Sequence, residues 1–482
     1  MSQLFFLIYI FLLGFSFGLL FKKWIPLKFL VFSSFLWGSI LFACILIILN
    51  ITGVKLSSQM ILILMTISLT ITLFIGIKFR IFLSSEEWSV FLLTIISFSL
   101  LNYLFITFNY SLATSDSFSI LRIGRSISFW GFDQNPLERL LVRGVFIPVL
   151  QSVSVFINSD YLVTLQLSFA FSFILVFYYL SEHILQSLFV NKNIVTPLVI
   201  TSTLLLVSTP LFIVQFFYIH ATLTSGIFLF TAIISYWLSI TEKNNYWLVF
   251  FLLSSIGVIF SRAETFIYMN ILLIFVLLTN KYTYKSMLKF LLPVIIIQLA
   301  WFLYILFRIE SFSSYVNPQR FILIIIALIM ILGIVIFSNN RFLAKFLQNF
   351  KLEYLLIPIY FFVLVFILIR PDHMLISIGS FLSNTFVTGY WGFSFWLIFP
   401  LLIISLFKKS QTFVTFLGTF ILSTIGIIFV LVIIRPPYHL YWTDSSNRLM
   451  TIILPIGLLM VSIIIGKWVD STVQNHNKIT SQ

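Results

Sequence analysis

Leu4-Phe5-Phe6-Leu7-Ile8-Tyr9-Ile10-Phe11-Leu12-Leu13-Gly14-Phe15-Ser16-Phe17-Gly18-Leu19-Leu20-Phe21 is an unbroken apolar run, closed by Lys22 and Lys23. At about 1.5 Å of rise per residue, a helix of this length reaches across most of a hydrocarbon core of about 30 Å. No basic residue precedes the run and no small-residue cleavage site follows it, so it reads as a retained helix with its N-terminus outside. Similar runs fall near 4–21, 29–51, 59–79, 88–110, 160–181, 194–217, 222–240, 246–260, 265–280, 288–307, 321–337, 354–370, 393–407, 412–434 and 449–466, about fifteen in all. The pieces 246–260 and 265–280 are each short for a crossing and read as one broken pair.

Composition agrees. Of 482 residues 61% are hydrophobic and 9% charged, and the mean hydropathy is +1.13, more apolar surface than a soluble core can hide. A β-barrel needs short alternating segments, whereas these runs are continuous. The expected fold is therefore an all-α polytopic integral membrane protein. The one plausible seam, Ser84-Ser85-Glu86-Glu87, divides a three-helix N-terminal extension, residues 1–87, from residues 88–482. Cys44 is the single cysteine, which excludes an intrachain disulfide.

Lysine and arginine are distributed differently. With the N-terminus outside and the C-terminus cytoplasmic, the inner loops and tail hold 15 Lys and 2 Arg, the outer side 1 Lys and 10 Arg. Lysine suits topology marking, whereas the planar guanidinium fork grips phosphate or carboxylate oxygens bidentately. The outer arginines thus point to a bound anion at the surface of a cell membrane. The formal charge of +14 does not imply nucleic acid, because there is no soluble domain to carry a basic face.

The longest polar stretch is the outer loop near 111–159. Ser115 and Asp116 are placed to cap a helix starting near Ser117, with Ile120, Ile123, Ile127 and Trp130 on one stripe and Arg122 and Arg125 on other sides. After a break at Gly131, Asn135 and Pro136 start a second surface helix carrying Glu138, Arg139 and Arg143. From the residues alone, Asp116 is either a helix cap or a reactive carboxylate. Arg262 and Glu264, between two short apolar helices, are either a pair closing a kink or part of a site, because ionisable groups there need a partner or a cavity. His220 reads as a solvated turn residue. The loops 370–392 and 435–448 add Arg370, His373, Arg435, His439, Asp444 and Arg448, with aromatic residues that suit either an interfacial belt or a sugar ring. No metal-ligand spacing, glycine-rich phosphate loop or Gly-x-Ser-x-Gly elbow occurs.

Asp116 followed by Arg125, Gly131 and the Pro148 segment resembles the first extracytoplasmic loop of GT-C-fold glycosyltransferases, the polyprenyl-phosphate-sugar-dependent group that includes protein O-mannosyltransferases and the aminoarabinose transferase of lipid A. Ser208-Thr209-Pro210 with Tyr218 to Trp237, then Ser261-Arg262-Ala263-Glu264, then Arg448 before Leu454-Pro455, are similar to later segments of that family, over residues 88–466. The resemblance implies a glycosyltransferase that moves a sugar from a polyprenyl-phosphate donor, with inversion, to an acceptor glycan, lipid or protein outside the membrane. Asp116 would be the general base. Arg122, Arg125, Arg262, Arg370 and Arg448 would hold the phosphate, and Arg143, Glu264, His373, Arg435, His439 and Asp444 would complete the substrate site. Many members carry a second acid just after the loop aspartate, but Ser117 and Phe118 stand here, so a divalent metal ion would have Asp116 as its one candidate ligand in this motif. A polymerase of lipid-linked repeats would place its arginines in a large later loop, and a lipid-linked-sugar flippase would show polar residues at mid-membrane depth.

Overall fold

The computed structural model describes residues 2–78, 83–112, 114–132, 140, 143–262, 264–279, 284–308, 318–337, 350–407, 412–432, 437–441 and 444–480. Its helices are α1 (Ser2–Leu19), α2 (Leu27–Phe32), α3 (Ser34–Ile51), α4 (Ser58–Lys78), α5 (Ser85–Phe108), α6 (Ser115–Trp130) and α7 (Phe146–Phe156). Next come α8 (Leu165–Leu188), α9 (Val195–Ser208), α10 (Pro210–Phe217), α11 (Thr222–Thr241), α12 (Trp247–Ser261), α13 (Thr265–Thr279), α14 (Tyr284–Arg308) and α15 (Pro318–Phe337). The last are α16 (Leu356–Ile369), α17 (Pro371–Ser383), α18 (Ser394–Phe407), α19 (Thr412–Leu431) and α20 (Ser445–Thr480). The chain is a multi-pass membrane protein, and its regular elements are all helical among the described residues. Among the described residues nine helices are long and apolar enough to cross a membrane, or ten if α9 and α10, bent by 62° at Thr209, make one span. The expected broken pair takes the form of α12 and α13, each of 15 residues.

Two compact units divide the chain: residues 1–176, 215–269 and 282–340 form the first, and 177–214, 270–281 and 341–482 the second. The expected 1–87 extension lies within the first unit.

In the first unit α1 and α3 run antiparallel in direct backbone contact. A β-carbon on Gly14 would overlap the Ser34 carbonyl, and one on Gly38 would overlap the Ile10 carbonyl, so only glycine permits this crossing. Phe6, Phe11, Phe35 and Phe42 are buried beside it. Helix α5 starts at the expected seam with a capping box, in which Ser84 accepts from Glu87 N and the Glu87 carboxylate accepts from Ser84 N. Helix α6 is amphipathic, with Ile120, Ile123 and Ile127 buried. Trp130, expected on that stripe, is exposed because it stands in the last turn before Gly131 (φ 62°). Gly124 seats α6 on α7 at Pro148, and Ser128 Oγ donates to the Ser152 carbonyl at 2.6 Å.

The ends of this unit differ in chemistry. At one end Lys22 pairs with Glu87 at 2.6 Å, and Trp24 stacks on Tyr246 with centroids 3.9 Å apart, near Lys23 and Lys243. At the other, Asp116, Arg143, Arg262 and Glu264 lie where α5 and α12 end and α6, α7 and α11 begin. Lys22, Lys23 and Lys243 therefore lie at one end of this unit, and Arg143 and Arg262 at the other.

In the second unit α20 packs against α9, α18 and α19. Asp444 caps it by accepting from Ser446 N at 2.8 Å and from Ser446 Oγ. Further along, Asp470 accepts from Asn191 N at 3.1 Å. Helix α17 ends in a π-helical turn, Asn384–Thr388.

Replacing Gly38 by leucine should separate α1 from α3 and cost about 1–3 kcal/mol of stability. Thermal unfolding in nanodiscs is the check: a midpoint equal to that of the native protein would mean that the helices do not cross there.

Candidate functional site

Asp116 is positioned by its own helix. Thr114 is the cap of α6, its Oγ1 accepting from Ser117 N at 3.3 Å, which places Asp116 in the first turn and not at the cap, beside the positive end of the helix dipole. The N–H of Leu112 donates to the Phe217 carbonyl at 2.8 Å, and the two segments form an isolated parallel bridge, Leu112 with Tyr218. This junction brings Tyr218 and His220 to Asp116 from more than a hundred residues away.

A second junction brings Arg143. Val145 N donates to the Phe260 carbonyl at 2.9 Å. Gly144, at φ 81°, lies so close to the Ser261 carbonyl that a β-carbon would overlap it. The chain on either side of this glycine therefore docks on the end of α12, beside the break that carries Arg262 and Glu264.

The side chains form one connected network. Arg143 Nη1 lies 2.7 Å from Asp116 Oδ1, and Tyr218 Oη donates to Asp116 Oδ2 at 3.3 Å. The His220 ring stacks on Tyr218, centroids 5.0 Å apart and planes 5° from parallel, with Nε2 3.9 Å from Asp116 Oδ2. His220 Nδ1 is 2.6 Å from Thr222 Oγ1, which accepts from Arg262 Nη1 at 2.9 Å. Arg262 then grips Glu264 with both arms of its fork, Nε to Oε2 at 3.0 Å and Nη2 to Oε1 at 3.1 Å. Thr265 Oγ1 accepts from Arg262 N at 3.3 Å and completes the break.

Exposure varies along the network. Asp116 and Arg143 have side chains 18% and 27% exposed, so a solute can reach them. Arg262 and Glu264 are buried, with Arg262 5% exposed. The pair is thus the foundation of the network and not its mouth. His220, read from the sequence as solvated, is 1% exposed, because it lies between Tyr218, Thr222 and Gln166, whose Nε2 donates to the His220 carbonyl at 2.8 Å.

Arg122 and Arg125 are exposed on α6. In the second unit, Arg370 is exposed at the start of α17, and His373 Nε2 lies 3.1 Å from the Val432 carbonyl. His439 Nδ1 stands 3.0 Å from Asp444 Oδ1, with the imidazole largely exposed and the carboxylate buried. Arg448 is buried one turn beyond Asp444. Asn384 accepts from Tyr441 N and donates to the His439 carbonyl, both at 2.8 Å, which ties the π-helical turn to this loop. Arg435 lies outside the described residues, as do Asn135, Pro136, Glu138 and Arg139.

Among the described residues no three His, Cys, Asp or Glu side chains gather as metal ligands. The groups that face Asp116 among the described residues include a guanidinium, a phenol and an imidazole.

No family model, curated protein or solved structure matches this chain.

The Arg262–Glu264 pair yields a two-sided expectation. Arg262→Met or Glu264→Leu alone strands a buried charge and should cost about 3–5 kcal/mol, whereas the double substitution should recover most of that stability. A thermal-unfolding cycle measures this, and additive losses would mean that the two side chains do not meet. Gly144→Ala should lower stability by about 1–3 kcal/mol by pushing the Arg143 segment off α12; an unchanged midpoint would contradict that junction.

Proposed function

We propose that this protein is an integral membrane glycosyltransferase of GT-C-like architecture, which moves a sugar from a polyprenyl-phosphate carrier to an acceptor hydroxyl at the outer face of a cell membrane, with its N-terminus outside. The observation that carries the reading is the half-open pair of Asp116 and Arg143 at the arginine-rich end of an apolar helix bundle. A sugar phosphate presents an anionic leaving group, and its acceptor presents a proton to be removed. A guanidinium beside a carboxylate meets both needs in one place.

In the reaction the acceptor oxygen attacks the anomeric carbon, while the bond from that carbon to the phosphate oxygen breaks and the phosphate leaves with the electron pair. Asp116 takes the acceptor proton. Arg143 turns N–H donors from Asp116 towards the phosphate, which frees a carboxylate oxygen as charge builds on the leaving group. One displacement inverts the anomeric centre. Exposed Arg122 and Arg125, further along α6, would attract the anionic headgroup. Arg262 and Glu264 act behind the site, through Thr222 and His220, by fixing the surroundings of Asp116.

Protein in nanodiscs, offered polyprenyl-phosphate sugars labelled in the sugar, should transfer label to a hydroxylated acceptor, and Asp116→Asn should slow transfer on the order of a hundredfold or more. Arg143→Gln should lower kcat with a smaller change in KM if its contact strengthens as the phosphate departs. Transfer by the Asp116→Asn protein at the native rate would remove Asp116 from the chemistry. Label that crosses the bilayer while still attached to its lipid would indicate a flippase instead.

A further inference from the structure

The buried half of the network has a direction. Arginine only donates, so the Arg262 Nη1 contact at 2.9 Å makes Thr222 Oγ1 an acceptor there. The one hydroxyl hydrogen of Thr222 is then free to point at His220 Nδ1, 2.6 Å away. A backbone N–H also only donates, and that of Thr222 reaches the same Nδ1 at 3.3 Å. The backbone N–H is a strict donor and makes His220 Nδ1 the acceptor, an arrangement the Thr222 hydroxyl hydrogen can complete. The ring proton must sit on Nε2, the nitrogen that faces Asp116 Oδ2 at 3.9 Å, on the same oxygen that Tyr218 Oη already reaches.

We propose that His220 is a positioning residue, held as the Nε2–H tautomer by Thr222, which in turn is held by Arg262, and that it turns its ring N–H towards Asp116 without itself exchanging protons with substrate. A hydrogen on Nδ1 would stand against the Thr222 N–H, in a ring 1% exposed. Its service is to orient the carboxylate: with Oδ2 turned to His220 and Tyr218, Oδ1 is directed to Arg143 and the open side of the site. The role of Asp116 as base rests on the glycosyl-transfer reading. The tautomer lock does not.

The test separates the two. Solid-state NMR of protein labelled with nitrogen-15 histidine, in lipid bilayers, reports which ring nitrogen is protonated. The chain has five histidines, so His220 is assigned by its loss in His220→Gln or, should that protein fail to fold, from a chain in which His183, His373, His439 and His476 are replaced by glutamine. The expected result at neutral pH is a ring protonated on Nε2 and bare at Nδ1. A proton on Nδ1 would overturn the lock whether or not the protein transfers sugar. In transfer assays on variants that remain monodisperse, His220→Gln, which can hold an amide N–H near the place of Nε2–H, should stay closer to the native kcat than His220→Asn, with a gap of about tenfold. Equal rates for the two would overturn the positioning role, and absence of transfer by the native protein would overturn the glycosyl-transfer reading while leaving the NMR result to judge the lock.

Discussion

An ionised side chain between apolar helices costs several kcal/mol unless another charge or a set of hydrogen bonds meets it. In the first unit the answer is closure: Asp116 is met by Arg143, Tyr218 and His220, and Arg262 by Glu264 and Thr222. Neither half is a surface ion pair of the weak, screened kind. The buried half, Arg262 with Glu264, holds the shape of the break between α12 and α13, and the half-open pair of Asp116 with Arg143 stands where a solute can disturb it. Rigidity behind and access in front are what a site needs if a charged headgroup is to compete for its arginine.

Two short stretches of backbone make the closure possible. Leu112 with Phe217, and Val145 with Phe260, are single hydrogen-bonded contacts outside any sheet, yet each joins a helix-to-helix connection to the end of a helix far away in the chain. Gly144 admits the second at a distance that no side chain allows. Such joints are short because the ends of the helices already lie together, and the helices lie together through crossings such as that of Gly14 with Gly38.

Much of this was legible in the sequence, for physical reasons. The length and continuity of the apolar runs announce membrane helices, and the polar break at Arg262 and Glu264 announces either a pair or a site, because each rests on contacts between close neighbours. The expected count of about fifteen spans is higher than the nine or ten helices that are long and apolar enough among the described residues, where α10, α12 and α13 are short. Thr114 was missed as the cap, since Thr114, Ser115 and Asp116 are all good caps and one residue of shift decides between them. Tyr218 and His220 were not placed in the site, because the bridge to Leu112 spans more than a hundred residues. A faint signal did exist: Tyr218, His220 and Thr222 alternate, so an extended segment puts them on one side.

The account stands on the meeting of Asp116 with Arg143, and exchanging their charges tests it most directly. Asp116→Arg alone and Arg143→Asp alone each set like charges against each other and should reduce the fraction of monodisperse protein in detergent, read by size-exclusion chromatography. The doubly exchanged protein, Asp116→Arg with Arg143→Asp, should recover most of that fraction. If it is as poor as the two single variants added together, the side chains do not face each other and the network does not exist as drawn.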